Sequence, residues 1–116
     1  MRVIDTDVLV IGTGGAGLYA AIRASETGQR VTILDKGLVG RSGGTVSGAG
    51  VSAVGPWSEF DDSVDVHFRD TVLGGSYLSD QPLVRVLTSE AQDRVQEMES
   101  WGLCFDKKPD GGYVLD

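Results

Sequence analysis

The chain has 116 residues, with 10 Lys+Arg against 17 Asp+Glu, a formal net charge of −7, and a hydrophobic fraction of 41%. The acidic balance argues against nucleic acid as a partner, since neutralising phosphates needs a basic face and the longest basic run is Lys107-Lys108. A single cysteine, Cys104, and a single histidine, His67, exclude an internal disulfide and a tetrahedral zinc site built from this chain alone, and charges interrupt every stretch approaching the ~20 apolar residues of a membrane span.

The first predicted element is Asp7-Val8-Leu9-Val10-Ile11, a continuous apolar run stopping at Gly12, as expected of a strand buried on both faces. The segment Gly12-Thr13-Gly14-Gly15-Ala16-Gly17 opens a helix from about Ala16 to Thr27, with Gly28 as its left-handed terminator. On that helix Gly17, Ala21 and Ala24 form a face of very small side chains, which allows close approach to a sheet, while Arg23 and Glu26 point to water. A second apolar run, Val31-Thr32-Ile33-Leu34, ends in Asp35. Residues 5–36 therefore read as a right-handed β-α-β unit with parallel strands.

Residues 37–55 are rich in Gly, Ser, Thr, Val and Ala, with Arg41-Ser42-Gly43-Gly44-Thr45-Val46-Ser47-Gly48-Ala49-Gly50 at the centre. Elsewhere such a stretch would be a flexible linker. Directly after the second strand of a nucleotide-type unit, its backbone amides can approach a ligand. A helical segment follows over 61–102: Asp61 to about Val72, stopped at Gly74-Gly75, then Gln81 to Trp101. The longer helix is capped by Ser79 or Asp80, has Pro82 in its first turn, and carries a stripe of Leu83, Leu87, Ala91, Val95 and Met98. Residues 103–116 read as a β-hairpin, with Leu103-Cys104-Phe105 and Gly112-Tyr113-Val114-Leu115 flanking Pro109-Asp110-Gly111. Cys104 reads as a small buried hydrophobe in a strand, His67 as a structural histidine, and Trp57 and Trp101 as core residues.

The fold class is thus α/β: an incomplete Rossmann-like βαβ unit followed by helices and a C-terminal β-hairpin, together a partial cofactor-binding domain over 1–116. Parallel sheets of this kind are covered on both sides and extended by further strands, which nothing after Asp35 obviously supplies. The expectation is a fragment, or a chain completed by a partner. The alternative is that Val51–Val54 and the hairpin close the sheet. The start Met1-Arg2-Val3-Ile4-Asp5 carries no signal-peptide pattern, which leads to an expected cytoplasmic location.

Gly12-x-Gly14-x-x-Gly17 has dinucleotide-fingerprint spacing in its required setting of strand, turn and helix, with Asp35 placed 23 positions after Gly12 to meet ribose hydroxyls. Gly12 permits the tight turn, Gly14 lets main chain reach a pyrophosphate, and Gly17 allows helix to pack on strand. The helix N-terminus supplies free N–H groups and partial positive charge. A 2′-phosphate would be repelled by Asp35, which disfavours NADP. The fingerprint leaves FAD and NAD open. An NAD-linked Rossmann dehydrogenase and a non-catalytic nucleotide-binding or assembly module stand as alternatives to a flavoprotein.

The combined pattern of the strand and fingerprint, Asp35-Lys36, Arg41-Ser42-Gly43-Gly44-Thr45-Val46-Ser47, Asp70-Thr71-Val72-x-Gly74-x-x-Tyr77-Leu78-x-Asp80 and Trp101-Gly102-Leu103-Cys104-Phe105 resembles the N-terminal part of the fumarate reductase/succinate dehydrogenase flavoprotein family, which includes L-aspartate oxidase. The resemblance implies an FAD-dependent oxidoreductase moving a hydride between FAD and a dicarboxylate-like substrate. It further implies that Gly12, Gly14, Gly15, Ala16 and Gly17 hold the pyrophosphate and that Asp35, with Lys36 beside it, holds the adenosine ribose. Arg41, Ser42, Gly43, Gly44 and Thr45 would wrap the diphosphate and ribityl chain, with Thr45, Ser47, Gly48, Ala49 and Gly50 near the isoalloxazine. The histidine that carries flavin covalently in membrane-complex members is replaced by Gly43, so FAD should be non-covalent. Gly48-Ala49-Gly50-Val51 stands in place of the family's Ala-Gln-Gly-Gly. The family's catalytic residues lie in later segments, and none is assigned here. The implied partners are the remainder of the flavoprotein or a complementary chain, a small dicarboxylate and an electron-transfer subunit, the last offering peripheral attachment to the inner face of a membrane.

Overall fold

The computed structural model describes residues 3–58 and 61–115. Met1 and Arg2, part of the expected lead-in, and Asp116, the last residue of the expected hairpin, lie outside the described residues. The chain divides into two compact units, Met1–Gly50 and Val51–Asp116.

In the first unit, strand β1 (Val8–Ile11), helix α1 (Gly15–Glu26) and strand β2 (Val31–Leu34) form the βαβ unit. The strands are parallel, in register from Val8 opposite Val31 to Ile11 opposite Leu34. Helix α1 covers one face of the sheet through its small residues: Ala21 is buried, and a Cβ built on Gly17 would lie 3.5 Å from Val10 Cγ1. The opposite face, with Leu9, Ile11 and Leu34, is exposed, Ile11 to 81%. Among the described residues, the two-sided apolar pattern of β1 is therefore matched by cover on one side only. Among the described residues the sheet has two strands, and neither Val51–Val54 nor the C-terminal segment joins it. At the end of α1, Gly28 takes a left-handed φ of 78° and donates its N–H to Ser25 O, as its glycine predicts.

The second unit is built on helices α2 (Val64–Gly74) and α3 (Gln81–Ser100). Helix α2 begins at Val64, later than the expected Asp61, because the Ser63 hydroxyl accepts the Val66 N–H and defines the cap. Asp80 caps α3 by accepting from Leu83 N at 3.1 Å, with proline in the first turn. Both helices end in the same motif. Ser76 and Tyr77 donate back to Leu73 O and Val72 O, and Gly102 and Leu103 to Glu99 O and Met98 O. At the end of α2 the left-handed residues are Ser76 and Tyr77, with φ of 51° and 62°, and not the Gly74-Gly75 pair that the sequence singles out.

The buried stripe of α3 is Val84, Thr88 and Val95, with half-buried Ala91, one residue on from the expected Leu83 and Leu87, which are exposed. On a helix the two stripes lie 100° apart, and packing against α2 selects the Val84 side, where Thr88 satisfies its hydroxyl on Val84 O at 3.1 Å. Among the described residues the C-terminal hairpin narrows to a tight reversal with one antiparallel bridge, Lys107 to Tyr113. It is held by Lys107 Nζ on Glu99 Oε1 at 2.8 Å and by the Tyr113 hydroxyl donating to Glu99. Trp57 packs edge-on against Tyr113 at 4.9 Å between centroids and donates Nε1–H to Ala53 O. Cys104, expected buried in a strand, is exposed outside any strand, and Trp101, expected in the core, is exposed as the C-terminal cap of α3. Both sit where the chain leaves α3.

Candidate functional site

The site forms where β1 passes into α1. Gly12, at φ 100°, reverses the chain while its N–H donates to Leu34 O at 2.7 Å, which fastens the turn to the end of β2. Gly14 is the N-cap of α1 and has no side chain to offer the helix. The first intrahelical bond is Leu18 N–H to Gly14 O, and Gly15 N–H is taken by Thr45 Oγ1 at 3.0 Å. The N–H groups of Ala16 and Gly17 therefore stand at the free, partially positive end of the helix with no acidic residue in the first turn. Gly17 brings the helix close to the turn, since a Cβ there would overlap Gly12 O.

Asp35, at the end of β2, organises the facing loop. Its Oδ2 accepts from Thr13 N–H at 2.8 Å, from Thr13 Oγ1 and from Ser42 Oγ at 2.6 Å, and its Oδ1 accepts from Gly37 N–H at 2.7 Å. The Ser42 hydroxyl, then that of Thr13, then the Gly37 amide hold its carboxyl well below the usual carboxylate range, so it is ionised. Thr13 Oγ1 also accepts Gly40 N–H at 3.2 Å. Gly43, at φ 82°, then runs against Gly14, where a Cβ on Gly43 would sit 3.1 Å from Gly14 Cα. Residues Gly44–Ser47 form a short 3-10 turn, an element the sequence does not announce, and it places Thr45 over the start of α1.

Between these segments lies a cleft of about 470 Å³. Of the residues expected to hold cofactor, Gly12, Gly14, Asp35, Lys36, Ser42 and Gly43 line it. Gly15 is linked to Thr45 beside it, and Ala16 and Gly17 follow in α1. Arg41 belongs to the adjoining loop, while Gly44 opens the 3-10 turn and Ser47 and Gly48 close it through bonds to Gly44 O and Thr45 O. Ala49 and Gly50 are exposed and do not line the cleft. Sequence reasoning misses three lining residues. Ile11 and Leu34 are the apolar strand ends that flank the opening, and Thr13, 2% exposed, occupies the variable second position of the fingerprint. The signal for Thr13 was its hydroxyl at a position whose backbone must face Asp35.

The site fits a dinucleotide. Its walls at Gly14 and Gly43 are bare backbone that a Cβ would begin to fill, and the amide-rich helix end suits a pyrophosphate. Among the described residues no cluster of His, Cys, Asp and Glu could hold a metal ion, and no helix is long and apolar enough to cross a membrane. His67 lies half-buried in α2 with no hydrogen-bond partner for Nδ1.

A family model, the FAD-binding domain, matches residues 7–115. The chain is 44% identical over 108 residues to a subunit of the fumarate reductase (CoM/CoB) of Methanothermobacter marburgensis, covering 92% of this chain and 20% of the relative. It is 41% identical over 111 residues to a fumarate reductase flavoprotein subunit of Mycobacterium tuberculosis, covering 94% and 18%. Among solved structures, the E. coli quinol fumarate reductase FrdA chain, in a single-residue variant, superposes with a TM-score of 0.88 at 30% identity, over all of this chain and 20% of that one. The Mycobacterium smegmatis Sdh1 complex in the apo form gives 0.85 at 39% identity, over 96% and 19%. The chain thus spans about a fifth of the length of the relatives it matches.

Proposed function

This chain belongs to the FAD-binding domain family, within the fumarate reductase/succinate dehydrogenase flavoproteins, and from that premise we propose how its own residues serve an oxidoreductase. The observation that carries the proposal is the glycine-walled N-terminus of α1, whose N-cap Gly14 has no side chain and lines the cleft. There the Ala16 and Gly17 amides receive the FAD pyrophosphate, with Gly12, Gly14 and Gly15 supplying the close backbone. Asp35 takes a ribose hydroxyl with Lys36 beside it, and Arg41, Ser42, Gly43, Gly44 and Thr45 follow the diphosphate and ribityl chain. Ser47, Gly48, Ala49 and Gly50 lead on from Thr45 toward the isoalloxazine.

FAD, when bound, supplies two-electron hydride chemistry. The protein's part is to bind and orient it, through amide donors that favour anionic groups over neutral ones. The position after Arg41-Ser42 is Gly43, and residues 37–50 contain no His, Cys or Tyr, which supports a flavin held non-covalently. The activity of the longer flavoprotein is hydride transfer between FAD and a dicarboxylate-like substrate of the fumarate/succinate or L-aspartate type, with electrons passed to or from a partner subunit. The FAD-binding match favours this over the nicotinamide alternative.

The test is made on the purified flavoprotein that contains this chain. It should be yellow, and acid precipitation should leave FAD in the supernatant and a colourless pellet. Yellow colour retained in the pellet would refute non-covalent binding, and a colourless protein that FAD cannot reconstitute would refute the flavin assignment.

A further inference from the structure

Thr13 lies outside the set of residues that the fingerprint singles out, yet it is almost fully buried and bonded on every polar atom it presents to the site. Its N–H and Oγ1 both donate to Asp35 Oδ2, at 2.8 and 2.5 Å, and Oγ1 accepts Gly40 N–H at 3.2 Å. Ser42 Oγ donates to the same carboxylate oxygen at 2.6 Å. An ionised carboxylate offers about four acceptor directions over its two oxygens. With two such directions on each oxygen, the three donors more than fill Oδ2, and Gly37 N–H takes one of the two on Oδ1. One acceptor direction is left, on Oδ1.

We propose that Thr13 is a positioning residue of the dinucleotide site, whose hydroxyl ties Asp35 to the Gly40 backbone and so fixes residues 40–43 opposite Gly14. Asp35 thereby divides its oxygens: Oδ2 belongs to the loop, and Oδ1 alone is left for a nucleotide hydroxyl. The Thr13 hydroxyl is the means by which the first glycine turn and the second glycine-rich loop, 27 residues apart, are set in one arrangement before anything binds. The inference rests on the FAD reading above.

The experiment uses the flavoprotein stripped of FAD and titrated with FAD, comparing wild type with Thr13→Val, Thr13→Ser and Ser42→Ala. A parallel measurement follows tryptic cleavage after Lys36 and Arg41 in the FAD-free protein. Thr13→Val keeps the shape and removes the hydrogen bonds of the hydroxyl, so FAD should bind about tenfold more weakly and cleavage should quicken. Thr13→Ser keeps the hydroxyl and should bind within about twofold of wild type. If instead valine binds like wild type, with or without a loss in serine, the methyl group or nothing at all is what matters and the proposal fails. If Thr13→Val does not fold, Ser42→Ala decides, since it removes one donor to Oδ2 from a half-buried loop residue. Unchanged FAD affinity and unchanged cleavage there overturn the proposal, whereas weaker binding with faster cleavage supports it. Should wild type bind no FAD, the flavin reading is what has failed. The cleavage comparison then still tests the tie: faster cutting of Thr13→Val supports it, and equal cutting refutes it.

Discussion

Gly17→Ala tests the claim that close packing of α1 on the β1 turn builds the site. A Cβ on Gly17 would overlap Gly12 O, and would also stand 3.2 Å from Gly12 C and 3.5 Å from Val10 Cγ1. The obstructing atom is backbone, fixed by the Gly12 N–H bond to Leu34 O, so no side chain can swing aside. Helix and strand must part by roughly an ångström, which places the cost near the upper end of the overpacking range, about 3 kcal/mol. If restoring the bound geometry of the Ala16 and Gly17 amides requires repaying that strain, FAD affinity falls by roughly a hundredfold. Two controls separate packing from glycine as such. A Cβ on Gly12 meets nothing within 4 Å but sits at φ 100°, so Gly12→Ala should cost about 2 kcal/mol through backbone strain alone. Gly44 has open space and no positive φ, so Gly44→Ala should be neutral within about 0.5 kcal/mol. Titration of the FAD-free flavoprotein with FAD, together with thermal unfolding, reads all three. A Gly17→Ala protein that melts and binds like Gly44→Ala would refute the reasoning.

The remaining expectations concern Asp35 and the second unit. Because the folded pKa of Asp35 is depressed from its ordinary 3.8, the stability it contributes is present in full above that value and is lost as pH falls through the lower folded pKa. Its carboxyl carbon shift should therefore stay flat from neutral pH past 4. Ser42→Ala should raise the midpoint more than Thr13→Val, since Ser42 is the leading cause, and a wild-type midpoint at or above 4 would contradict the network. In α3, Asp80→Ala removes the acceptor of Leu83 N–H and should cost about 1 kcal/mol in thermal unfolding, with a loss below about 0.3 kcal/mol arguing that the cap is idle.

The first unit was legible because its signals are backbone signals. Continuous apolar runs mark parallel strands, and glycines mark the places where a Cβ is excluded or φ turns positive, as at Gly12, Gly17 and Gly28. Side-chain choices were less legible. Leu83 and Leu87 are as apolar as Val84 and Val95, so periodicity offers two neighbouring stripes on α3 and only the packing of α2 picks one. The end of α2 was hidden for a related reason: two glycines precede the left-handed residues, and the helix-ending bonds shift the turn onto Ser76 and Tyr77. Thr13 carries no such signal, because a fingerprint names the residues that must be small and is silent about the one between them.

That silence has a physical counterpart. Six of the fourteen residues 37–50 are glycine, the residue that loses most conformational freedom on ordering, so this loop is costly to fix. Glycine is needed there because main chain must approach main chain, as at Gly43 against Gly14, but it cannot hold the approach in place. The holding falls to a few polar side chains at intervals: Ser42 on Asp35, Thr13 under Gly40, and Thr45 on Gly15. Each ties the loop to the β1–α1 turn or the end of β2, and two of the three act through one carboxylate whose charge strengthens its bonds. The entropy cost of the glycines is thus offset before a ligand arrives, and binding energy is left for the ligand. The same arrangement makes Asp35 the loop anchor: it sits at the strand end from which both the fingerprint turn and the loop that follows can be reached.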